Sequence, residues 1–433
     1  MKKHSRKKRE KRDKNIYEDE NKDLNDENYY TKRSKKKKLS KEISFFSSLK
    51  KKLIIPILFF VVLLPYIIIS LFRMHNKLKE KLNNTRIRLP REEALTKGKE
   101  YMDKCRKGLF QNQKFTKSDK PKITVIIPVY NSRDIIKASI ASAQNQNMKD
   151  IEIILVNDFS TDDSLQVLQS IQTNDPRIHI INNEKNMGIL YSRCIGVLEA
   201  KGKYILNLDQ DDFFFDENLF DSVYEEAEEG NFDIVSFMDL EIRNYDVNIS
   251  DMKDGPCTHH PDNFIVRQPE LPYYPMFKDE HFAYIDIQIW GKIFKTEVYK
   301  KAVNLLGKER YSIYNAINED IIGVFSICIV AESYKYMRRY GLFHLVGHNT
   351  AVHRASGEHT AKMAIFFSDI IFDLSKNEYK KYAAIMILGL RTFNDEIKKK
   401  LSEFLKKIMN STYIEEKYKE NIRKEYGNMD VIN

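Results

Sequence analysis

The chain has 433 residues, of which 42% are hydrophobic and 12% aromatic, and a formal net charge of +10. This length and apolar content favour one large domain or two smaller ones and exclude a wholly disordered chain. Residues 1–52 contain 20 Lys or Arg against 9 Asp or Glu, so they hold the whole positive excess. The remainder is close to neutral, which argues against a folded nucleic-acid-binding domain.

The N-terminal part predicts three successive segments. Residues 1–52 are polar and without an apolar period, which is typical of a disordered tail. Leu53–Phe72 contains 20 residues without a charge, about the length that spans a ~30 Å hydrocarbon core, and predicts a single transmembrane helix. Nine Lys or Arg in 33–52 against seven in 73–92 favour a cytosolic N-terminus and a type II topology. Residues 73–120 are charged and weakly helical, and predict a stem or linker.

An alternating α/β pattern begins near residue 121. The apolar runs 123–128 and 151–156 start 28 residues apart, which is the spacing of one βαβ unit. Between them Ile136, Ile140 and Ala143 share one helical face. Further helices are predicted at 163–172 and 190–200, with strands at 178–181 and 204–208. Strands this apolar are typical of a parallel sheet that is buried on both faces.

The pattern becomes less regular after residue 212. It predicts a helix over 218–229, a strand over 233–237, an extended loop over 241–280, a strand-like stretch at 285–294, and helices at 296–306 and from 318. Residues 365–433 predict helices with a charged exposed face. We therefore divide the folded part into 121–240, 241–365 and a helical extension, 366–433.

The strongest indication of a functional site is the acidic segment Leu208-Asp209-Gln210-Asp211-Asp212. It follows an apolar strand, and ligands of open α/β sheets bind at the carboxyl ends of the strands. Asp209 and Asp211 point the same way in an extended chain, and their charges repel unless a cation or a proton separates them. This arrangement predicts a site for Mg²⁺ or Mn²⁺. The alternative is a solvated acidic turn that caps the following helix.

Two other strand ends carry candidate nucleotide-binding residues. Asp158 precedes the helix-capping Ser160 and Thr161, and its carboxylate can accept hydrogen bonds from a nucleobase or a ribose. Pro128 and Tyr130 end the first strand, where the Tyr130 ring is placed to stack on a base. A buried tyrosine is the alternative for Tyr130.

Four segments together carry a family resemblance, and they occur in the order ITVIIPVYN, IEIILVNDFSTDDS, NEKNMGILYSRCIGVLEAKGKYI and LDQDD. This set resembles the family 2 glycosyltransferases, which are inverting enzymes of the GT-A fold. The resemblance implies an α/β, Rossmann-type nucleotide-binding sheet over 121–240 and a mixed acceptor-binding half over 241–365. The family commonly has glycine where this chain has Phe159, which puts the local turn in doubt.

The resemblance also implies roles for individual residues. Asp158 matches the residue that contacts the base, usually uracil, and Asp209 the one that contacts the ribose and diphosphate. Asp211 matches the ligand of the bridging Mn²⁺ or Mg²⁺, with Asp209 beside it. Gly188 and Arg193 match the family's N-x-G-x-x-x-x-R stretch near the diphosphate. A surface position on a helix is the alternative for Arg193.

The acceptor half carries two weaker matches. Trp290-Gly291-Lys292 is similar to the family's W-N-K segment, with glycine in place of asparagine, and implies acceptor binding by Trp290 and Lys292. Glu319-Asp320 is similar to the Glu-Asp motif, in which the aspartate is the catalytic base and Glu319 is the fallback. The alternative for Asp320 is a charge that stabilises the start of a helix.

Cysteine and histidine leave two questions open. None of the four cysteines forms a CxxC pair, which argues against zinc. Cys105 and Cys257 lie in loop-like sequence and would pair only in an oxidising lumen. Four histidines are candidates to complete the metal shell, and the sequence does not choose among them: His344, His348, His353 and His359.

The complete pattern predicts a membrane-anchored, metal-dependent glycosyltransferase. It would transfer a sugar from a nucleotide-diphosphate sugar, expected to be a UDP-sugar, to a glycan, protein or lipid hydroxyl with inversion, in the lumen of the endoplasmic reticulum or Golgi. A nucleotidyltransferase would need a Gly-rich loop with a lysine, which residues 128–133 lack. A non-catalytic, glycosyltransferase-like binding protein stays open as the second reading. No nucleic-acid partner is expected.

Overall fold

The structure is a computed structural model whose chain forms two units, Met1–Arg86 and Ile87–Asn433. It describes residues 34–45, 47–48, 91–109, 114–255, 264–272, 274, 277–278, 281–282, 287–313, 319–346, 357–377, 380–387 and 395–426.

The N-terminal unit differs from the sequence prediction in one respect. Residues 34–45 form an exposed helix, whereas disorder was predicted for all of 1–52, because Lys, Glu and Leu favour helix even without a core to pack against. The predicted span Leu53–Phe72 lies outside the described residues. Among the helices that the structure does describe, none combines the length and apolar character needed to cross a membrane.

A mixed sheet of ten strands organises the second unit in the order β3-β2-β1-β4-β11-β6-β12-β5, with β7 beside β6 and β8 beside β12. Its strands are β1 (Ile123–Val129), β2 (Ile151–Asn157), β3 (Ile178–Asn182), β4 (Tyr204–Asn207), β5 (Phe213–Phe214), β6 (Ile234–Ile242), β7 (Lys253–Asp254), β8 (Ile265–Arg267), β11 (Lys292–Lys295) and β12 (Ser333–Leu345). A separate hairpin contains β9 (Phe277–Lys278) and β10 (His281–Phe282).

Twelve helices of this unit are described, and most lie against the sheet or against one another. They are α1 (Arg91–Arg106), α2 (Ile136–Gln144), α3 (Ser164–Asn174), α4 (Ile189–Glu199), α5 (Leu219–Gly230), α6 (Thr296–Leu306), α7 (Lys308–Tyr311), α8 (Glu319–Val330), α9 (Gly357–Leu374), α10 (Lys381–Ile387), α11 (Asp395–Met409) and α12 (Glu416–Tyr426).

The first half confirms the predicted βαβ arrangement. Strands β3, β2, β1 and β4 are parallel neighbours. Ile123 pairs with Ile151, so the 28-residue spacing brings the two strands into register. All seven residues of β1 are buried, because helices and neighbouring elements cover both faces of the sheet. Four parallel strands therefore end at the same edge.

The second half departs from the prediction most at β12. This strand of 13 residues lies parallel to β6, with two irregularities in the register. Its sequence, SYKYMRRYGLFHL, lacks the apolar alternation of a half-buried strand, so no strand was predicted there. β6 also runs on to Ile242, past the predicted end at 237, because β12 pairs along its whole length. Part of the predicted 241–280 loop is therefore in strands, including β7 and β8.

Helix α1 is part of the folded unit, although its sequence reads as a stem. Leu95 and Met102 are completely buried, and a Cβ added to Gly98 would come within 2.6 Å of the Phe215 ring. A glycine is required here because helix and ring approach so closely. Cys105, expected in a loop, is a buried free thiol near the end of α1.

The C-terminal helices continue the same core. α9 begins at residue 357, so the predicted domain boundary at 365/366 falls inside a helix. The apolar faces of α9 to α12 belong to the cluster that also contains Ile321, Phe325 and Cys328 of α8. The start of α9 has few apolar positions, so the sequence pattern did not indicate a helix before residue 365.

Candidate functional site

The acidic loop 208–212 lies directly after β4, at the edge where β1, β2 and β4 end. Two hydrogen bonds fix its centre. The Ser139 hydroxyl donates to the Gln210 carbonyl at 2.7 Å, and the Gln210 side-chain oxygen accepts from the Tyr130 backbone N–H at 2.8 Å. The loop is therefore held between α2 and the end of β1.

Arg193 of α4 joins the two halves of the site. Its guanidinium donates to Asp209 at 2.6 Å, and to Glu319 and Asp320 at 2.7 Å each. The Arg193 side chain is only 3% exposed, so the surface-helix alternative is wrong. The neighbouring carboxylates keep the pKa of Arg193 well above its ordinary value, against the effect of burial. One buried cation thus faces three carboxylates from two segments far apart in the sequence, the acidic loop and the first turn of α8.

Asp211 lies beside two other carboxylates and is half-buried. Burial, with the charges of Asp212 and Asp209, raises the pKa of Asp211 to about 7. Asp209 is paired with Arg193 and Asp212 with His344, but Asp211 has no ion pair within the part of the chain that the structure describes. An added cation would relieve this repulsion, so the residues present fit a divalent metal.

The described residues contain no group of three His, Cys, Asp or Glu side chains arranged to hold a metal ion. A metal that bridges a diphosphate needs fewer, because Mg²⁺ is commonly bound by one or two carboxylates together with substrate phosphates. Asp211 and Asp209 are the two side chains that would hold it.

His344, at the end of β12, lies beneath the acidic loop. Its Nδ1 is 3.1 Å from an oxygen of the fully buried Asp212, and its ring stacks on Trp290 with centroids 4.6 Å apart. Burial lowers the pKa of His344, but Asp212 outweighs that effect and raises it to about 10. Completion of the metal shell by His344 stays a prediction.

Asp320 occupies the first turn of α8, opposite the acidic loop across Arg193. Burial raises the pKa of Asp320 to about 7; Arg193 opposes this shift, and Glu319 and Asp209 add to it. The backbone N–H of Ile289 also donates to this carboxylate. The group therefore changes its charge close to neutral pH, which suits a general base.

Asp158 holds the loop before α4 in place through hydrogen bonds to its carboxylate. The carboxylate is buried and accepts three hydrogen bonds of 2.8 Å, from the backbone N–H groups of Met187 and Gly188 and from the side chain of Asn183. It thereby holds the loop before α4, and with it the start of the helix that carries Arg193. Contact with a nucleobase stays a prediction.

The loops after β1 and β2 are joined and present two aromatic rings. Asn131 accepts from the Thr161 N–H at 2.8 Å and donates its own N–H to Ser160 at 3.1 Å. Tyr130 is 42% exposed, so the buried alternative is wrong, and Phe159 is 49% exposed. Phe159 has a φ of 60°, which explains why the family prefers glycine at this position.

We expect Phe159→Gly to raise the free energy of unfolding by about 0.5–1 kcal/mol. A left-handed conformation costs a residue with a side chain ~1–2 kcal/mol, and glycine removes this cost. The greater flexibility of glycine in the unfolded chain offsets part of the resulting stabilisation. Urea unfolding of the full chain measures the change. Phe159→Ala is the control, because alanine removes the same ring but keeps the strain; equal stabilisation by both variants would contradict the explanation.

The segment Trp290-Gly291-Lys292 is buried beside the site, where Trp290 stacks on His344. Trp290 and Lys292 are buried, and the Lys292 ammonium donates to the Gln288 carbonyl at 2.6 Å. Gly291 has a φ of 68°, a conformation that asparagine also tolerates, which accounts for the exchange with the family's asparagine. Acceptor binding by Trp290 and Lys292 stays a prediction.

Several predicted residues receive no structural description. Asn318, Cys257, His348 and His353 lie outside the described residues, as does the side chain of His359. Sequence reasoning named His344 as a candidate but did not predict its contact with the acidic loop. The Asp212–His344 pair joins residues 132 positions apart, and no local pattern reports a contact of that range.

Comparison with known proteins shows which family model and which proteins this chain resembles. The family model "Glycosyl transferase family 2" matches residues 124–294. A cholesterol galactosyltransferase of Borreliella burgdorferi is 27% identical over 271 residues, 61% of this chain and 72% of that protein. The uncharacterized glycosyltransferase EpsJ of Bacillus subtilis is 30% identical over 189 residues, 44% of this chain and about half (52%) of that protein.

The Staphylococcus aureus protein TarS, solved with UDP-GlcNAc, has 17% identity and a TM-score of 0.49, with 69% of this chain and 82% of that chain covered. The domain match and the related glycosyltransferases provide the assignment. Residues 124–294 match the glycosyltransferase family 2 model, and together with the related glycosyltransferases this match identifies the protein as a glycosyltransferase.

Proposed function

We propose that the protein transfers a sugar from a UDP-sugar to an acceptor hydroxyl, with inversion at the anomeric carbon and with Mn²⁺ or Mg²⁺. One observation carries the proposal. The Arg193 guanidinium contacts Asp209 of the donor half and also Glu319 and Asp320 of the acceptor half. A group that binds the donor and a group that can act as base therefore face the same small space.

The donor fits the edge where the parallel strands end. Asp158 and the exposed Tyr130 ring lie at the ends of β2 and β1, where the resemblance expects the base, and Asp209 and Asp211 lie at the end of β4. When bound, the metal would neutralise the charge that builds up on the leaving diphosphate. Asp211 and Asp209 would hold and orient it.

The chain's own residues supply the proton transfer. Asp320 takes the proton of the acceptor hydroxyl as that oxygen attacks the anomeric carbon, and the diphosphate leaves on the opposite side. Base and leaving group must come from different segments for such a displacement, and α8 and the acidic loop meet this condition. Glu319 shares the Arg193 contact and orients the guanidinium between the two sides.

A membrane-associated acceptor is the class we favour. The Borreliella relative is named for transfer to cholesterol, and a Campylobacter jejuni relative, 38% identical over 93 residues, is named for an undecaprenol-linked glycan. We also propose that Leu53–Phe72 anchors the chain as a type II membrane protein with a lumenal domain, because its 20 residues are uncharged. Digestion of 91–426 by protease added outside intact microsomes would contradict that topology.

Donor binding tests the proposal. In a thermal-shift experiment on the full chain in detergent, UDP with Mn²⁺ is expected to stabilise the fold more than ADP, GDP or CDP with Mn²⁺. A ligand at 100 times its dissociation constant adds about 2.7 kcal/mol. The Asp211→Asn variant is expected to lose most of the shift. Equal stabilisation by every nucleotide, or by none, would contradict a UDP-sugar donor.

A further inference from the structure

Tyr245 makes a contact with the acidic loop that the proposed reaction does not use. It lies three residues after the end of β6, and its hydroxyl donates to the backbone carbonyl of Asp211 at 3.1 Å. A phenolic hydroxyl is protonated at neutral pH, so it acts as the donor in this contact.

The ring of Tyr245 contacts two side chains. Phe213 packs against it in an edge-to-face arrangement, with centroids 5.1 Å apart. The guanidinium of Arg106, in the last turn of α1, lies 5.1 Å from the centroid of the Tyr245 ring. Arg106 is itself fixed by an ion pair with Asp246 at 2.8 Å. Leu95 and Met102 pack α1 into the fold, so the helix holds Arg106 in a defined position beside the Tyr245 ring.

The backbone of the acidic loop is thus held at two successive carbonyl groups. Ser139 donates to the carbonyl of Gln210 at 2.7 Å, and Tyr245 donates to that of Asp211. The direction of the Asp211 side chain depends on this backbone, because its carboxylate has no ion pair within the described residues to orient it. Residues around a metal ligand commonly tune affinity in this indirect way.

We propose that Tyr245 is a positioning residue for Asp211, and that Arg106 of α1 acts through it. The inference rests on the proposed function, in which Asp211 binds the metal. It gives α1 a part in the donor site, although α1 lies before the family 2 domain and was predicted as a stem.

The test is Tyr245→Phe in the full chain, which removes the hydroxyl and keeps the ring. We expect Mn²⁺ affinity in the presence of UDP to fall roughly 10-fold, measured by electron paramagnetic resonance of free Mn²⁺, with an unchanged melting temperature. Excess Mn²⁺ should restore transfer. Tyr340→Phe is the matched control, because its hydroxyl donates to Asp254 at 3.0 Å, away from the loop.

Arg106→Met tests the second step. It should weaken Mn²⁺ binding less than Tyr245→Phe does, and the double variant should match Tyr245→Phe alone, since both act on one contact. Unchanged Mn²⁺ affinity in Tyr245→Phe, or an equal loss in Tyr340→Phe, would overturn the positioning role while leaving the donor site intact. A wild-type chain that binds neither Mn²⁺ nor UDP would overturn the proposed function, and the positioning role with it.

Discussion

Asp320→Asn is expected to reduce sugar transfer by roughly 10²–10⁴-fold, the usual cost of removing a general base. Asparagine keeps the size of the side chain and an oxygen that can accept from Arg193, so donor affinity should change little. Calorimetry gives the affinity of the donor, and mass spectrometry of the product gives the rate. The separation of these two quantities is what distinguishes a base from a nucleotide-binding residue.

Glu319→Gln is the matched control for this change. Glu319 bonds to the same Arg193 nitrogen as Asp320 and at the same distance, 2.7 Å. If the shared contact with Arg193 were the only function of either carboxylate, the two variants would lose similar activity. We expect Glu319→Gln to retain most of it. Weaker donor binding with unchanged turnover in Asp320→Asn would contradict the assignment of the base.

The pH dependence follows from the same residue. Burial raises the pKa of Asp320 to about 7, and only the ionised carboxylate accepts a proton. Transfer should therefore rise with pH through about 7 and level off above it. The Asp320→Asn variant should lose this limb of the pH profile, whereas Glu319→Gln should keep it.

Asp211→Asn is expected to reduce metal-dependent transfer by roughly 10³-fold, because a bound metal contributes several kcal/mol of charge stabilisation in the transition state. Donor affinity should fall as well, since the metal bridges protein and diphosphate. Asp163→Asn is a suitable control, because the Asp163 carboxylate is 70% exposed and pairs with Arg133 at the surface. The measurement is the initial rate as a function of Mn²⁺ concentration.

Asp211→Asn is expected to stabilise the metal-free fold, although it reduces transfer. The pKa of Asp211 is raised to about 7 in the folded chain, above its ordinary value, so ionisation is less favourable in the folded state than in the unfolded one. Without metal, the wild type should lose stability as the pH rises from about 4 to 7. Asp211→Asn should lose less stability over this range, in which Asp320 still titrates, and it should melt at a higher temperature than the wild type at pH 8. Added Mn²⁺ should remove this difference, and a lower melting temperature for the variant without metal would contradict the electrostatic account.

The first half of the fold could be predicted closely, because its strands are continuous apolar runs that need no distant partner to be recognised. Ile123 and Ile151, whose 28-residue spacing indicated a βαβ unit, are paired in β1 and β2. β12 could not be predicted, since its charged residues are accommodated by pairing with β6 and by ion pairs such as Arg339–Asp216 at 2.9 Å. α1 was predicted as part of a stem for a related reason. It has few apolar residues, and their burial depends on packing against Phe213 and Phe215, which lie more than 100 residues away in the sequence.

For the site, sequence reasoning identified the residues better than their contacts. Asp209, Arg193, Glu319 and Asp320 were each predicted, and the structure brings them together. Their shared salt bridge spans up to 127 positions in the chain, so no spacing rule could have shown it. Roles that depend on a bound donor or acceptor, including those of Asp158 and Lys292, stay predictions.

Release of UDP from a panel of UDP-sugars, with Mn²⁺ and with the wild type beside Asp211→Asn, tests the central claim most directly. The wild type is expected to release UDP from at least one of them, and the variant to do so about 10³-fold more slowly. Equal release by both chains would contradict the placement of the metal and the diphosphate at the acidic loop. Release from no UDP-sugar, with release from a sugar carried on another nucleotide, would contradict the donor.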